Sequence, residues 1–528
     1  MKKTWIAAAI ASASLAQGAM AESGQGKFDD LTATMNVIQV VGTIDPAKIT
    51  DYTEYMMAVN LYDGLTTADK TGKVIPLLAK SWDISADGKT FTFHLVPDAK
   101  FQNGDVVTAD DVVYSVKRLL TINQGPSGFF SGFLKADGVS AVDAHTVKFT
   151  LTQPSSAFLG MTPLLFVVDK SVAEQHKGKD GWSEEYLAAN PIGTGPYKLE
   201  EWQRGSRIVF QRNHDYFYGF PENPLEKVRV LITSDESTIK ALANKGELDI
   251  SSTYQAEETL NAIGKLPNYH IQDLSTATGY YIKFNNQLAP TDDVHIRKAL
   301  AYAIDYDLVN SELHPGNSMA GPLVSLFKGP YLESLNAPKY DLKKAAEEVK
   351  LSKYAGQTIP IILGFVAGSA YEEEIALMMQ ANLEQIGFKA KLEADPWSRI
   401  TQIASKPETT PNVNQIFFGP TYASPQSVFF NQYSSKSAGS WASMSWLNDP
   451  KVDKWIDEAG KELDTKKRDD IYHELQQYLV DNQVDAYLQT VRYRMAVNNC
   501  LSDMQFVPVQ SFYFDFSKYN WKCRPVRK

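Results

Sequence analysis

The chain has 528 residues, with 52 Lys and Arg against 62 Asp and Glu, a net charge of −10 and 11% aromatic side chains. Length alone allows several domains and large apolar cores. An acidic balance without a basic stripe argues against nucleic acid as a partner, and no cofactor is called for by any motif.

In chain order, the first element is a processing signal. Lys2 and Lys3 precede the apolar run Ile6–Leu15, and Ala19-Met20-Ala21 is a small-x-small cleavage site. The run is too short for a membrane anchor. Cleavage after Ala21 would leave 507 residues (528 less 21), exported to a periplasm. No later run of about 18 apolar residues suggests a membrane span.

Strand-like and helix-like patterns then alternate, which predicts an α/β architecture. Strands are expected at 31–41, 91–95, 146–151, 208–211, 228–232 and 249–250. Thr108 followed by Asp111 reads as a helix start, because a carboxylate at the third helical position can face the unpaired amides. That helix should carry Val113, Val116 and Leu120. A further helix is expected over 235–248. A second half opens near Tyr280 with a strand at 281–285 and a helix at 294–303. Strand 359–365, helix 371–386 ending at Gly387, and strand 389–393 form a β-α-β unit. Helices at 453–459 and 466–479 and a strand at 493–497 follow. Cys500 and Cys523 form an even pair that suits one disulfide in an oxidising compartment. Two buried thiols are the alternative, and without histidine partners the pair is no zinc site.

Enzyme signatures are weak. There is no phosphate-binding Walker loop. His473-Glu474 lacks the second histidine of a zinc protease, since position 477 is Gln. Gly316-Asn317-Ser318-Met319-Ala320 departs from a nucleophile elbow at its last position. The eight histidines are scattered and read as surface or capping residues. Glu372-Glu373-Glu374 reads as a helix start or a solvated face.

One set of motifs is specific. Pro191-Ile192-Gly193-Thr194-Gly195-Pro196-Tyr197 combines two glycines free in φ with a proline fixed in φ. It resembles the P-x-G-T-G-P-Y turn of peptide-type solute-binding proteins of ABC importers (family 5, the dipeptide, oligopeptide and nickel class). Ile44-Asp45-Pro46, Leu61-Tyr62-Asp63-Gly64-Leu65, Leu78-Ala79-Lys80-Ser81-Trp82, Phe101-Gln102-Asn103-Gly104-Asp105, Thr108–Ser115, Asn213-His214-Asp215-Tyr216, Gly246–Ile250, Phe284-Asn285-Asn286 and Arg297–Leu300 are similar to further blocks in the same order.

The resemblance implies a two-lobed periplasmic-binding-protein fold, the Venus flytrap, with an extra subdomain in lobe I. It places lobe I at 22–281 with the subdomain at about 66–190, lobe II at 282–494, and a return to lobe I over 495–528, stapled by the two cysteines. It implies a non-enzymatic, monomeric protein that carries a peptide or peptide-like solute to membrane permease subunits, with ATP hydrolysed by a separate partner. Its ligand contacts map onto Thr50, Asp51, Tyr52, Ser127 and Phe129 in lobe I. In lobe II they map onto Trp397, Phe418, Gly419, Thr421 and Tyr422.

Two positions depart from the family pattern. Thr421-Tyr422 stands where peptide binders carry aspartate-tyrosine, the aspartate pairing with the ligand's ammonium. Gln415 stands where some oligopeptide binders carry an arginine. An opine, an oligosaccharide or a metal chelate is therefore an alternative ligand. A secreted hydrolase and a chaperone are remoter ones. Asp51 or Glu54 could supply the missing negative charge, unless both are simply exposed to solvent.

Overall fold

The computed structural model describes residues 28, 30–336, 339–502, 507–508 and 514–527. The signal sequence and its cleavage site lie outside the described residues.

The first half is built on β1 (Thr32–Val37), which leads through a loop to α1 (Tyr52–Leu61). Eight of the ten α1 residues are buried, so this helix has no polar face and leaves no 3.6-residue pattern to read. A subdomain follows: β2 (Ala79–Ile84), β3 (Thr90–Leu95), α2 (Ala109–Ile122), the short α3 (Ser127–Phe130), β4 (Val139–Asp143) and β5 (Thr146–Thr150). Its antiparallel sheet has the order β2-β3-β5-β4. Phe91, Phe93 and Leu95 alternate inward as the sequence predicts. Phe158 centres this core, with the rings of Phe91, Phe130, Phe133 and Phe149 at 4.6–6.3 Å. α2 begins with the expected capping box, the Thr108 amide donating to Asp111 Oδ2 at 2.8 Å.

The chain then returns through β6 (Tyr197–Gln203), β7 (Arg207–Arg212) and β8 (Lys227–Ile232), giving a second sheet of order β1-β8-β7-β6 with β1 and β8 parallel. The Pro191–Tyr197 turn packs against the end of α1. A Cβ at Gly193 would sit 2.2 Å from the Leu61 carbonyl oxygen, and one at Gly195 2.4 Å from the Leu61 carbonyl carbon. Thr194 Oγ1 donates to Asp63 Oδ2 at 2.8 Å and the Tyr216 hydroxyl to Asp63 Oδ1 at 3.0 Å. Three sequence blocks thus meet on one buried carboxyl, which burial pushes up to about 7.

After α4 (Glu236–Lys245), β9 (Tyr269–Phe284) crosses into the second half. There lie α5 (Val294–Tyr302), β10 (Ile359–Val366), α6 (Ala370–Glu384), β11 (Phe388–Asp395), α7 (Trp397–Ile403), β12 (Val413–Phe418), α8 (Pro425–Tyr433), α9 (Pro450–Lys461) and α10 (Thr465–Asp481). β13 (Asp485–Asn498) leads back. The sheet runs Asn317–Ser318, β13, β9, β12, β10, β11, with β10 parallel to both neighbours.

β9 and β13 run antiparallel through both halves. Their register holds from Tyr269/Asn498 to Ser275/Arg492, breaks, and resumes at Gly279/Thr490. Such a break bends a strand locally, and it lies where the two halves meet. Among the described residues no helix is long and apolar enough to cross a membrane.

Cys500 and Cys523 are bonded, 23 residues apart, and tie the segment after β13 to the C-terminal segment, where Leu501 bridges Trp521. Reducing this bond should lower unfolding stability by about 3 kcal/mol on the loop-entropy account. Urea midpoints with and without reductant measure it, and equal midpoints would show that the bond contributes nothing.

Candidate functional site

The N-terminus of α1 is the meeting point of the two halves. Asp51 caps the helix, its Oδ1 accepting from the Glu54 amide at 3.0 Å, while Oδ2 accepts from Trp397 Nε1 of α7 at 3.3 Å. The next side chain, Tyr52, reaches the end of β12: the Gly419 amide donates to its hydroxyl at 2.7 Å, and the hydroxyl donates to the Phe417 carbonyl at 3.3 Å. The preceding residue, Thr50, offers its carbonyl to Trp441 Nε1 at 3.3 Å. Three successive residues of one half therefore hold three elements of the other.

A small cavity of about 20 Å³ lies under these contacts, lined by Gln39, Asp51, Tyr52 and Tyr254 from one side and Glu372, Trp397, Gln415, Phe417 and Trp441 from the other. Its walls are aromatic. Trp397 and Trp441 stand edge to face at 5.2 Å, Tyr52 and Trp441 at 5.6 Å, and Tyr280 stacks on Phe417 at 4.2 Å. Asp51, Glu54 and Glu372 are only 6%, 5% and 3% exposed, which settles against two solvated acids at 51 and 54. Burial raises the Asp51 carboxyl. Burial and the neighbouring Asp51 charge push Glu54 up to about 8, and burial pushes Glu372 up to about 8. Glu54 accepts from the amides of Thr50 and Thr43 at 2.7 and 3.2 Å. Glu372 accepts from the Val366 amide at 2.8 Å. No lysine, arginine or histidine among the described residues pairs with any of the three.

Glu372 was expected only at a helix start or on a solvated face. It sits in the first turn of α6, but the chain folds it inward under the end of β10. The run of three glutamates hides this, because only its first member faces the sheet. Its backbone carbonyl accepts from Gln415 Nε2 at 2.8 Å, and Gln415 Oε1 accepts from the Tyr280 hydroxyl. The expectation of surface histidines fails at His314, whose ring stacks on Tyr371 at 4.8 Å. Burial, with help from Arg494, lowers it to about 4, so it is neutral at physiological pH.

A second, much larger cavity of about 880 Å³ opens beside the first, between α3 and the segment 153–161 of one half and α8, α9 and residues 436–440 of the other. Thr50, Phe129 and Tyr422 line it. The Phe129 and Tyr422 rings meet across the halves at 5.4 Å. The sequence-derived residues thus divide between two cavities. Asp51, Tyr52 and Trp397 line the small one, and Gly419 reaches it through its bond to Tyr52. Ser127, Phe418 and Thr421 line neither. Ser127 is buried in the first turn of α3, Phe418 packs on Trp441 at 6.0 Å, and the Thr421 amide donates to Ser427 Oγ at 2.8 Å to fix the turn. Trp441, Glu372 and Tyr254 were missed by sequence reasoning. The one signal toward Glu372 was indirect: with Thr421 unable to neutralise a cation, an acid had to be sought elsewhere. Among the described residues no group of three or more His, Cys, Asp or Glu side chains is arranged to hold a metal ion.

The family described as "Bacterial extracellular solute-binding proteins, family 5 Middle" matches residues 73–440. The chain is 30% identical over 513 residues to the periplasmic oligopeptide-binding protein OppA of Salmonella typhimurium, covering 90% of this chain and 91% of that one. It is 28% identical over 484 residues to the probable D,D-dipeptide-binding periplasmic protein DdpA of Escherichia coli, with the same coverages. The periplasmic binding protein DppA of Helicobacter pylori, solved in complex with the peptide STSA, superposes with a TM-score of 0.84 at 22% identity, over 93% of this chain and 98% of that one.

Proposed function

This chain belongs to the bacterial extracellular solute-binding proteins of family 5, and from that premise we propose that it captures a peptide or peptide-like solute by an ammonium group held between its lobes. The supporting observation is the small aromatic cavity, in which Asp51 of one half and Glu372 of the other are buried without a basic partner among the described residues. A buried carboxylate is costly until a cation joins it, and aromatic faces add attraction for an ammonium.

Residues 22–281 with the return of 495–528 act as lobe I and 282–494 as lobe II, pivoting at the register break of β9 and β13. Solute binds the open form on one lobe. The second lobe then closes, and the solute stabilises the closed form through contacts that only that form offers. The closed form docks, as a monomer, on the permease subunits of an ABC importer whose ATP is hydrolysed by a separate subunit. The chain itself catalyses no reaction. Export to the periplasm with cleavage after Ala21 places it there. The names of the two relatives support a peptide. Thr421 and Gln415 favour the second reading, a non-peptide solute such as an opine, an oligosaccharide or a metal chelate in the same role.

A thermal-shift screen of di-, tri- and oligopeptides against opines, sugars and metal chelates tests the class, since a ligand at 100 times its Kd adds about 2.7 kcal/mol of stability. For a cationic solute that binds, Asp51→Asn should weaken affinity by about 2 kcal/mol or more, roughly 30-fold, the cost of truncating one member of a buried charge pair. Unchanged affinity would remove Asp51 from the site.

A further inference from the structure

The subdomain inserted into the first half also touches the second half at its outer rim, away from Asp51 and Tyr52. The contact has a polar part and an apolar part. α9 ends at Lys461, and the last carbonyls of a helix have no partner within it. Ser156, on the segment after β5, reaches one of them from across the halves. Its amide and its hydroxyl donate to the Gly460 carbonyl at 3.2 and 3.4 Å, and the hydroxyl lies 3.5 Å from the Ala459 carbonyl. The subdomain therefore completes the end of a helix that belongs to the other half.

The apolar part is Leu463, in the turn between α9 and α10, which sits over the hairpin that joins β2 to β3. A Cβ built on Gly88 would lie 3.2 and 3.4 Å from the two Leu463 methyl carbons and 3.8 Å from Pro154 Cβ. Gly88 closes that hairpin, its amide donating to the Ser85 carbonyl at 2.9 Å, with φ at +65°. The position asks for glycine twice, once for its left-handed backbone and once to leave Leu463 a seat. Leu463 is still 47% exposed under this cover. Separating the halves would bare more of it to water, which is unfavourable.

Gly88, Ser156 and Leu463 line neither cavity, so a solute held in either would not touch them. We propose that their contact is a latch: it holds the two halves together without help from solute, and so sets the fraction of solute-free protein in which the halves already meet. This rests on the pivot reading above and gives the inserted subdomain a part in capture. Apparent affinity scales with the fraction of protein in the competent state. The latch therefore strengthens binding by the same factor for every solute, whatever its class, because it makes no contact that could tell one solute from another.

Hydrogen exchange of the full chain without solute, read by mass spectrometry on peptides spanning Ser156 and Gly419, tests it. Both amides are held across the halves by separate partners, that of Gly419 by the Tyr52 hydroxyl. In Leu463→Ser both should exchange at least about fivefold faster, the worth of a partly buried leucine side chain, and the radius of gyration from small-angle scattering should grow. Leu463→Met, which keeps the apolar contact, should behave as wild type. Ser156→Ala keeps the amide donor and loses the hydroxyl, and it should speed exchange at Gly419 by a smaller factor. Faster exchange at Ser156 alone, or no change at either amide, would make the contact a local surface feature and overturn the latch while leaving the pivot standing. Faster exchange at both amides with no growth in the radius of gyration would mean that the halves do not separate, and would sink the pivot on which the latch rests.

Discussion

Arg118→Met should destabilise the protein by about 3–5 kcal/mol, the usual cost of stranding one member of a buried ion pair. Arg118 and Asp45 are 1% and 0% exposed and joined by two parallel hydrogen bonds of 2.6 Å each. Removing the guanidinium leaves the Asp45 carboxylate in the interior without a cation, and it also strips the Trp182 carbonyl of its donor, Arg118 Nε. Adding Asp45→Asn to Arg118→Met should recover much of the loss, because the charge disappears while the side-chain oxygen still accepts from the Ala47 amide, at 3.0 Å in the wild type. Denaturant midpoints report both variants. A loss below about 1 kcal/mol for the single change would mean that Asp45 is solvated or protonated in solution. The effect should reach the site, because Asp45 fixes the loop that enters α1. That loop passes so near Gly125 that a Cβ there would lie 2.8 Å from the Ile49 carbonyl oxygen. Loosening it displaces Thr50, Asp51 and Tyr52 together, so solute affinity should fall in Arg118→Met and return in the double variant.

The same pair shows how far the sequence carried. Ile44-Asp45-Pro46 is visible as a block, but its partner stands 73 positions away on α2, and no local pattern links them. Elements with one wet face were legible. α2 declared itself by its capping box, β3 by strict alternation, and the β10-α6-β11 unit by two strand-like runs flanking a long helix that ends at Gly387. Elements buried all round were not. α1 has no counterpart among the elements expected from the sequence, because Tyr55, Met56, Met57 and Ala58 all face inward, and the first half of β9 was missed because its crossing of the two halves obeys neither face's pattern. At the site, residue types were legible where the family resemblance supplied positions, as at Asp51, Tyr52 and Trp397. Glu372 and Trp441 were not, because their part depends on which lobe they meet on closure, a contact of high sequence separation.

Solute binding should release protons. Over the window between the ordinary carboxyl value of 4.5 and about 8, Glu54 and Glu372 hold protons in the empty closed protein that exposed carboxyls have lost. The raised values stabilise the folded, closed state fully below about 4.5, and that contribution is lost as pH rises through about 8. The empty protein should therefore melt at progressively lower temperature as pH is raised from 5 to 9. An ammonium between Asp51 and Glu372 reverses the preference, since it favours the charged carboxylates. Binding must then expel protons, and affinity should rise with pH by up to about tenfold per unit between 5 and 7.5. It should turn over where the ligand's own amine titrates, ordinarily near 8. Calorimetry in phosphate and in Tris, whose ionisation heats differ widely, would count the protons released at pH 7, with about one or two expected. Glu372→Gln should remove one of them, flatten the pH dependence and weaken binding, because the neutral amide no longer answers the ammonium. Proton uptake on binding, or a pH-independent affinity in wild type, would mean that Glu54 and Glu372 stay protonated with solute bound, and that the solute's charge is met elsewhere.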